Sequence, residues 1–478
     1  MARREGSEAG KPCRDDAARG SSRSGRSARN SRRPTTTGVP ARIAGVPRRQ
    51  QAPRGTRDLL PAERAAFARL ERIALDLATR YGYQPIETPL FELSEVFERA
   101  VGSATDVVEK ELFRVQAGRG EAERERWALR PEPTAGIVRA YLQHGMQSLP
   151  QPVRLTLTGP MFRYDRPQAG RYRQFWQFDV EAIGDPGPGV DAEIIELGAR
   201  FFRDAGLRDT VVRLNSIGDG ACRPAYVERL RSYFAEHLER LPDLERTRLA
   251  ANPLRLLDSK DPAMQTLIAE APTITKHLCP ACSEHLSGVR SHLDALGVEY
   301  EIAPRLVRGL DYYTRTAFEF FPPLVDGAHQ ALGGGGRYDG LVELMGGRPT
   351  PGIGFGLGLD RVVLALAAGG ADPPAPPHVA VVVVSADPAD TVTRLRVATD
   401  LRAAGLAARA DLAQRKLSRQ LESAGREGAH FAVICGDEMA QGQVRLRDLE
   451  AGTQRAVNVT DLARELLRAE AQHRHGRA

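Results

Sequence analysis

Apolar residues first recur regularly just after the motif PRGTRDLLP. Over 61–80, Phe67, Leu70, Ile73, Ala74 and Leu77 fall on one face, which predicts an amphipathic helix. The period drops to two in 154–184. There Phe175, Gln177, Asp179, Glu181 and Ile183 share one strand face and Trp176, Phe178 and Val180 the other, so two strands joined by a loop are expected. Residues 209–304 return to a mostly helical pattern and read as an insertion between two motif-bearing parts. The run GGADPPAPP at 369–377 reads as a linker. Strands then alternate with helices. Strands are expected at 378–385, 405–410, 431–435 and 444–449, and helices at 391–404, 412–425 and 459–469, giving a small α/β sheet with crossover helices. The expected organisation is a leader 1–51, a mixed α+β domain 52–370 with the insertion, a linker 371–378, an α/β domain 379–470 and a tail 471–478.

Charge alters this picture only at the N-terminus. The chain of 478 residues has a net charge of +6, but residues 1–51 hold thirteen Lys/Arg and four Asp/Glu, which leaves the rest at −3. The basic overall balance is therefore no argument for nucleic-acid binding by the body. The leader is rich in Arg, Ser and Gly, lacks large apolar residues and is expected to be disordered. Its composition admits a dispensable extension, a weak RNA-attracting arm or a targeting segment. The first is preferred, because charge runs are usually just solvated. No apolar run reaches the roughly 18 residues of a membrane helix. Five cysteines, Cys13, Cys222, Cys279, Cys282 and Cys435, fit a reduced cytoplasmic protein.

Three stretches carry chemistry. Gln177, Asp179 and Glu181 form a polar ladder suited to a small polar ligand, in which Gln177 and Glu181 could grip an amine or an imidazole, and an Arg-dense loop with Arg166, Gln168, Arg171 and Arg173 follows Arg163. The two strands place Arg163 near Gln177 and Glu181, and an arginine can grip a phosphate bidentately. Periodicity alone fits an ordinary amphipathic hairpin equally well. LVRGLDYYTRTAFEF at 306–320 offers a fixed charge, Arg308, beside the flat phenols Tyr312 and Tyr313. GGGGRYDGL at 333–341 lacks the G-K-[ST] of a Walker A loop. His277, Cys279, Cys282 and His285 form H-x-C-x-x-C-x-x-H, and C-x-x-C is a common zinc half-site. All four fall within nine residues of a largely helical stretch, so ordinary thiols and no metal are expected.

These strings, in this order, resemble the histidyl-tRNA synthetase family of class II aminoacyl-tRNA synthetases over about Pro53 to the C-terminus. FRYDRPQAGRYRQF is similar to the family's motif 2, and YQPIETPLFELSEVFERAVGSATDVVEKEL to motif 1 and its sequel. PGIGFGLGLDRVVLAL is similar to motif 3. LRPEPT resembles its LRPEGT segment, with Pro133 where glycine is common. LVRGLDYY and GGGGRYDGL are similar to its two histidyl signatures. The resemblance implies an antiparallel-sheet catalytic domain with a helical insertion, followed by an anticodon-binding domain. It implies ATP, magnesium, L-histidine and a histidine tRNA as substrates and partners, and a homodimer built through motif 1. Arg163 and Arg308 are then expected at the α-phosphate as catalytic residues, and Arg361 at the γ-phosphate. Glu132, Thr134 and Gln177 are expected at the α-amine, with Pro133 in the same loop. Glu181 and Tyr313 would read the imidazole beside Tyr312 and Tyr338. Arg166, Gln168, Arg171 and Arg173 would approach the tRNA acceptor end, and a helix bearing Arg415, Lys416 and Arg419 would offer an RNA face. Three rivals are weighed: a non-catalytic paralogue regulating ATP phosphoribosyltransferase, a pure RNA-binding module, and a related ligase for another amino acid. Intact Arg163, Arg308 and Arg361 and a C-terminal α/β domain weigh against the first, and an intact amino acid pocket against the second.

Overall fold

The computed structural model describes residues 50–101, 110–115, 126–166, 168, 170–307, 312–322, 331–371 and 379–476. Expectations for the leader, for Arg308 and for nearly all of the linker fall outside these residues.

Eight strands form the main sheet: β1 (Gln84–Pro85), β2 (Val153–Phe162), β3 (Gln174–Ile183), β4 (Val211–Ser216), β5 (Tyr300–Ile302), β6 (Thr314–Phe321), β7 (Gly333–Arg337) and β8 (Gly352–Gly358). Their order is β1-β2-β3-β8-β7-β6-β4-β5. The six inner strands run antiparallel, while the outer pairs β1–β2 and β4–β5 are parallel. The expected period-two alternation in β3 becomes a division of labour. Phe178 and Val180 enter the main core, and Gln177, Asp179 and Glu181 occupy the opposite face.

Helices α1 (Pro61–Arg80) and α3 (Pro188–Ala205) cover the apolar face. Both start with proline in the first turn, where the missing N–H costs no helical hydrogen bond. Phe67, Leu70, Ala74 and Leu77 of α1 are buried at the predicted spacing and pack with Phe178, Phe201 and Phe202. Gly206, at φ 115°, ends α3, and the Leu207 amide bonds back to the Phe202 carbonyl at 2.8 Å. On the polar side of the sheet lies α2 (Thr134–Gln143), and after β8 comes α6 (Leu359–Ala368).

The insertion is shorter than 209–304. Near its two ends lie β4 and β5, which extend the main sheet, so only the segment between them is helical. Helix α4 (Arg223–Ala235) opens that segment and α5 (Pro280–Leu296) closes it. Tyr226, Leu230, Phe234, Leu256, Met264 and Leu267 give it a small core of its own.

The C-terminal domain has strands β9 (Val381–Ser385), β10 (Ala408–Ala410), β11 (Phe431–Cys435), β12 (Gln443–Asp448) and β13 (Gln454–Asn458), ordered β10-β9-β11-β12-β13. Strand β13 was not expected. It pairs as an edge strand and only Val457 within it is buried, so it has no apolar signal to read. Helices α7 (Thr391–Ala403), α8 (Leu417–Arg426) and α9 (Val459–Gly476) complete it. Helix α8 starts later than the expected 412. The Asp411 carboxylate accepts the Ala413 amide at 2.9 Å and pairs with Arg415 at 2.7 Å, which stabilises a turn there instead. Arg415 and Lys416 therefore precede the helix that was expected to carry them. No helix among the described residues is long and apolar enough to cross a membrane.

One buried ionic network ties the layers together. Arg337, at the end of β7, is fully buried and pairs with Asp191 of α3 at 2.5 Å. Asp191 also accepts from Thr316 of β6 at 2.5 Å and bonds His285 of α5 at 2.8 Å. Burial alone would raise the Asp191 pKa, but the His285 and Arg337 contacts hold it below the ordinary carboxylate value. Asp191→Ala would remove the fully buried counter-charge of Arg337 and leave only the partly exposed Asp339, at 2.9 Å, beside the guanidinium. Chemical denaturation should show a loss of about 3–5 kcal/mol, against under about 0.5 kcal/mol for the exposed pair partner Glu95→Ala. Equal small losses would show that the network is not a tie.

Candidate active site

The polar ladder of β3 lies against the glycines of β8. Gly354 pairs with Glu181, Gly356 with Asp179 and Gly358 with Gln177. A methyl group at Gly356 would come within 2.5 Å of Gln177 Nε2 and 2.7 Å of Asp179 Oδ1, and one at Gly354 within 2.5 Å of the Glu181 Cδ. Close approach of these side chains, more than turn formation, is what the alternate glycines permit.

Glu181 is 1% exposed. One carboxylate oxygen accepts from Thr134 Oγ1 and the other from the Tyr338 hydroxyl, both at 2.5 Å. Burial pushes its pKa up to about 8, against the lowering effect of those two donors. Glu132 is buried too, and its carboxylate takes the Thr134 and Ala135 amides at 2.8 and 3.0 Å, which caps α2. Its pKa is raised by burial, with the two amides working the other way. Asp179 is raised well above the usual range by burial and then by the charges of Glu181 and Glu132. Asp179 Oδ2 and Gln177 Oε1 are buried without a hydrogen-bond partner among the described residues. The Tyr312 and Tyr313 rings meet tilted by 54° with their centres 4.7 Å apart, and Tyr312 meets Tyr338 edge-on at 6.0 Å. Three carboxyls that resist ionising together are arranged to receive positive charge or hydrogen-bond donors from a ligand.

Beside this cluster opens a cavity of about 860 Å³ lined by Arg163, Arg171, Gln177, Tyr313 and Arg361. Arg163 is held by its Nε bond to the Pro131 carbonyl at 2.9 Å, with its guanidinium 5.4 Å from the Phe175 ring centre. Arg361 donates to the Ala331 carbonyl at 2.5 Å and the Gly170 carbonyl at 3.3 Å. Its neighbour Asp360 accepts the Trp176 amide at 2.8 Å and pairs with Arg57 at 2.7 Å. The site thus has a cationic end and a carboxyl end.

The expected residues divide between these regions. Gln177 and Arg163 share the cavity, but Glu181 does not line it. Four residues farther along the strand, Glu181 sits roughly 13 Å on, so the expected closeness of Arg163 to Glu181 is corrected. Glu132, Thr134, Glu181, Tyr312 and Tyr338 form the buried cluster, and Pro133 is the cap residue of α2. Arg173 folds back, donating to the Arg54 carbonyl at 3.1 Å and covering the Tyr164 ring at 3.8 Å. Gln168 and Arg171 close a tight turn, and Arg171 pairs with Asp165 at 3.3 Å. Arg166 makes its described bond through its backbone amide, to Asp165. His277, Cys279, Cys282 and His285 do not converge, because His285 is committed to Asp191 and His277 to the Thr273 carbonyl at 3.0 Å.

Sequence reasoning missed two contributions. Arg57 stacks on Tyr172 at 4.1 Å and braces the motif that carries Arg361. The insertion supplies Arg223, Arg248, Arg255 and Lys260 to the cavity wall. The run PLRLLDSK at 253–260 holds two of these, Arg255 and Lys260, and no local pattern marks Arg223 or Arg248.

The histidyl-tRNA synthetase family model matches residues 55–362, and an anticodon-binding domain model matches 378–469. The chain is 48% identical to the histidine–tRNA ligase of Moorella thermoacetica, over 85% of this chain and 95% of that protein. It is 45% identical to that of Desulforudis audaxviator, over 87% and 98%. The crystal structure of apo S. aureus histidyl-tRNA synthetase superposes with a TM-score of 0.73 at 35% identity, covering 87% of this chain and all of that one. With the catalytic sheet, the glycine-backed carboxyl ladder and both matched segments in agreement, the chain belongs to the histidyl-tRNA synthetase family.

Proposed function

We propose that this chain activates L-histidine with ATP and loads it onto its tRNA, using the cavity and the buried carboxyl cluster as one two-ended site. The observation that carries the reading is the pairing of Arg163 and Arg361 at one end with Glu132, Asp179 and Glu181 at the other. An amino acid with a basic side chain suits the carboxyl end, and a triphosphate suits the arginines. A glutamic acid with a pKa near neutrality can donate to a neutral imidazole or accept from a protonated one.

In the first step a histidine carboxylate oxygen forms a bond to the α-phosphorus, and the bond to the bridging oxygen breaks as pyrophosphate leaves. The protein's contribution is in-line positioning and charge stabilisation. Arg163 holds the α-phosphate and Arg361 the γ-phosphate. Arg308 takes the other side of the α-phosphate on the strength of the family resemblance, and Val307 and Tyr313, which bracket its segment, line the cavity. Gln177 and Thr134 receive the α-amine near Glu132, whose oxygens already cap α2. Glu181 reads the imidazole, with Tyr313 and Tyr338 beside it. Glu111 and Glu319, on the cavity wall, are hard oxygen donors of the kind magnesium takes. The ion would neutralise charge on the β- and γ-phosphates. The terminal ribose hydroxyl of the tRNA then attacks the histidyl carbonyl and AMP leaves. Arg166, Gln168, Arg171 and Arg173 belong to the loop that meets the acceptor end. The basic residues around α8 face the anticodon stem-loop. A homodimer through the motif 1 segment is supported by exposed Leu90, Phe91 and Leu93. The four cysteines among the described residues, free of disulfides, suit a reducing cytoplasm.

Pyrophosphate exchange compared across histidine, threonine, proline and glycine tests the reading. Exchange should depend on histidine alone, and Glu181→Ala should raise the histidine KM by an amount worth roughly 2–3 kcal/mol while the ATP KM hardly moves. Equal exchange with another amino acid, or an unchanged histidine KM, would refute the pocket assignment.

Arg308→Ala should lower exchange by about 10²–10³ with tRNA filter binding retained, and lysine should rescue poorly because it lacks a planar fork. Near-normal exchange would make Arg308 structural.

The raised Glu181 pKa also has a stability consequence. The folded state keeps its proton where the unfolded chain has lost it, so this group's contribution to stability falls as pH rises from the ordinary carboxylate value to about 8. Glu181→Gln escapes that loss. In the ligand-free enzyme its stability relative to wild type should rise with pH between 5 and 8, by at most about 1.4 kcal/mol per unit, then level off. Thermal midpoints on both sides of that window check it, and a difference constant with pH would contradict it.

A further inference from the structure

Cys279 and Cys282 meet partners from the other end of the insertion, 57 residues earlier. D-x-x-C at Asp219–Cys222 stands just before α4, and C-x-x-C at Cys279–Cys282 overlaps the start of α5. Folding brings the two half-sites together. The carboxylate oxygen of Asp219 and the sulfurs of Cys222, Cys279 and Cys282 all lie within 4.8 Å of one another. Cys222 Sγ is 3.6 Å from Asp219 Oδ1, and Cys279 Sγ is 3.8 Å from the same oxygen. Zinc bonds of about 2.3 Å to sulfur and 2.0 Å to oxygen, set at tetrahedral angles, require ligand separations of about 3.5–3.8 Å. We propose that Asp219, Cys222, Cys279 and Cys282 form a tetrahedral metal site that takes zinc and clasps the two ends of the insertion.

The surroundings are built for it. Asp219 Oδ1 is oriented by the Ala221 amide at 3.0 Å, and Oδ2 is met by Arg315 at 3.5 Å, an outer-sphere partner for a ligating carboxylate. A metal with three thiolates and a carboxylate carries surplus negative charge, which Arg315 offsets. Gly218, at φ 67°, has no room for a side chain, since a Cβ there would lie 2.8 Å from Cys222 Sγ. Arg315 itself is held at φ 50°, a strained backbone for a non-glycine residue, by its amide bond to the Gly218 carbonyl at 2.8 Å and by the Ile217 amide at 2.7 Å. Three thiolates and one carboxylate at these separations select zinc over calcium or magnesium, and four protein ligands make a closed, structural site.

The clasp adjoins the catalytic residues. Arg223, the residue after Cys222, donates to the carbonyls of Ile217 and Gly218 at 3.0 Å each and to the Tyr313 carbonyl at 2.5 Å. Fixing Cys222 therefore fixes Arg223 against the backbone of Tyr313 and holds the cavity wall carrying Arg248, Arg255 and Lys260 in place.

The full chain, purified under reducing conditions without chelator, should contain about one zinc per chain by mass-spectrometric metal analysis. Cobalt exchanged into the site should give thiolate-to-cobalt charge-transfer bands and intense visible bands of tetrahedral cobalt. Cys282→Ser should lose the metal. Asp219→Cys should keep it and shift the visible bands to lower energy as a fourth thiolate enters, a readout that misfolding cannot imitate. Less than about a tenth of an equivalent after zinc reconstitution, with no thiolate–cobalt bands, would overturn the proposal. So would alkylation showing that two of Cys222, Cys279 and Cys282 are joined as a disulfide in freshly lysed cells.

Discussion

The structure depends most on the close approach of β8 to the polar face of β3. Glu181 can lie across Gly354, and Gln177 and Asp179 across Gly356, only because those positions have no side chain. The arrangement buries three carboxyls, Glu132, Asp179 and Glu181, whose ionisation is resisted by burial and, at Asp179, by the neighbouring charges. A sheet face of this kind is costly to the empty protein, and on the proposed reading its counterweight is a ligand that supplies donors and positive charge.

The same sheet carries opposite chemistry a few residues away. The strand direction separates the carboxyl end from Arg163 and Arg361, and each guanidinium is aimed by carbonyls: Pro131 for Arg163, Ala331 and Gly170 for Arg361. In these bonds both arginines are held by neutral carbonyl acceptors. Supporting contacts come from distant sequence. Arg57 pairs with Asp360, and Asp360 bonds the Trp176 backbone between the two ends of the site.

The insertion completes the site from above the sheet's far edge and is anchored twice. Asp191, Arg337, Thr316 and His285 join α3, β7, β6 and α5 in one buried network. The second anchor is the proposed clasp of Asp219 with three cysteines, which joins the starts of α4 and α5 beside Tyr313. Both connect elements separated by dozens of residues, where loop closure would otherwise cost most entropy.

Much of this was legible in the sequence because it is local. The spacing of Phe67, Leu70, Ala74 and Leu77 placed α1, and the alternation in 174–183 placed β3. Motif strings singled out Glu132, Thr134, Gln177, Glu181, Tyr313 and Arg361, which the structure gathers in the cavity or the buried cluster beside it. Strand β13 was not legible, because one buried residue leaves no periodicity, nor was the delayed start of α8, which a side-chain turn at Asp411 decides. Only tertiary structure could show that Glu132 spends both oxygens capping α2, that Glu181 is buried away from Arg163, and that β4 and β5 belong to the catalytic sheet. It alone committed His285 to Asp191 and gave Cys279 and Cys282 new companions in Asp219 and Cys222. The physical reason is the range of the interactions. Periodicity and turn chemistry act over a few residues, whereas a charge finds its partner wherever packing brings another chain segment, and no local pattern records that meeting.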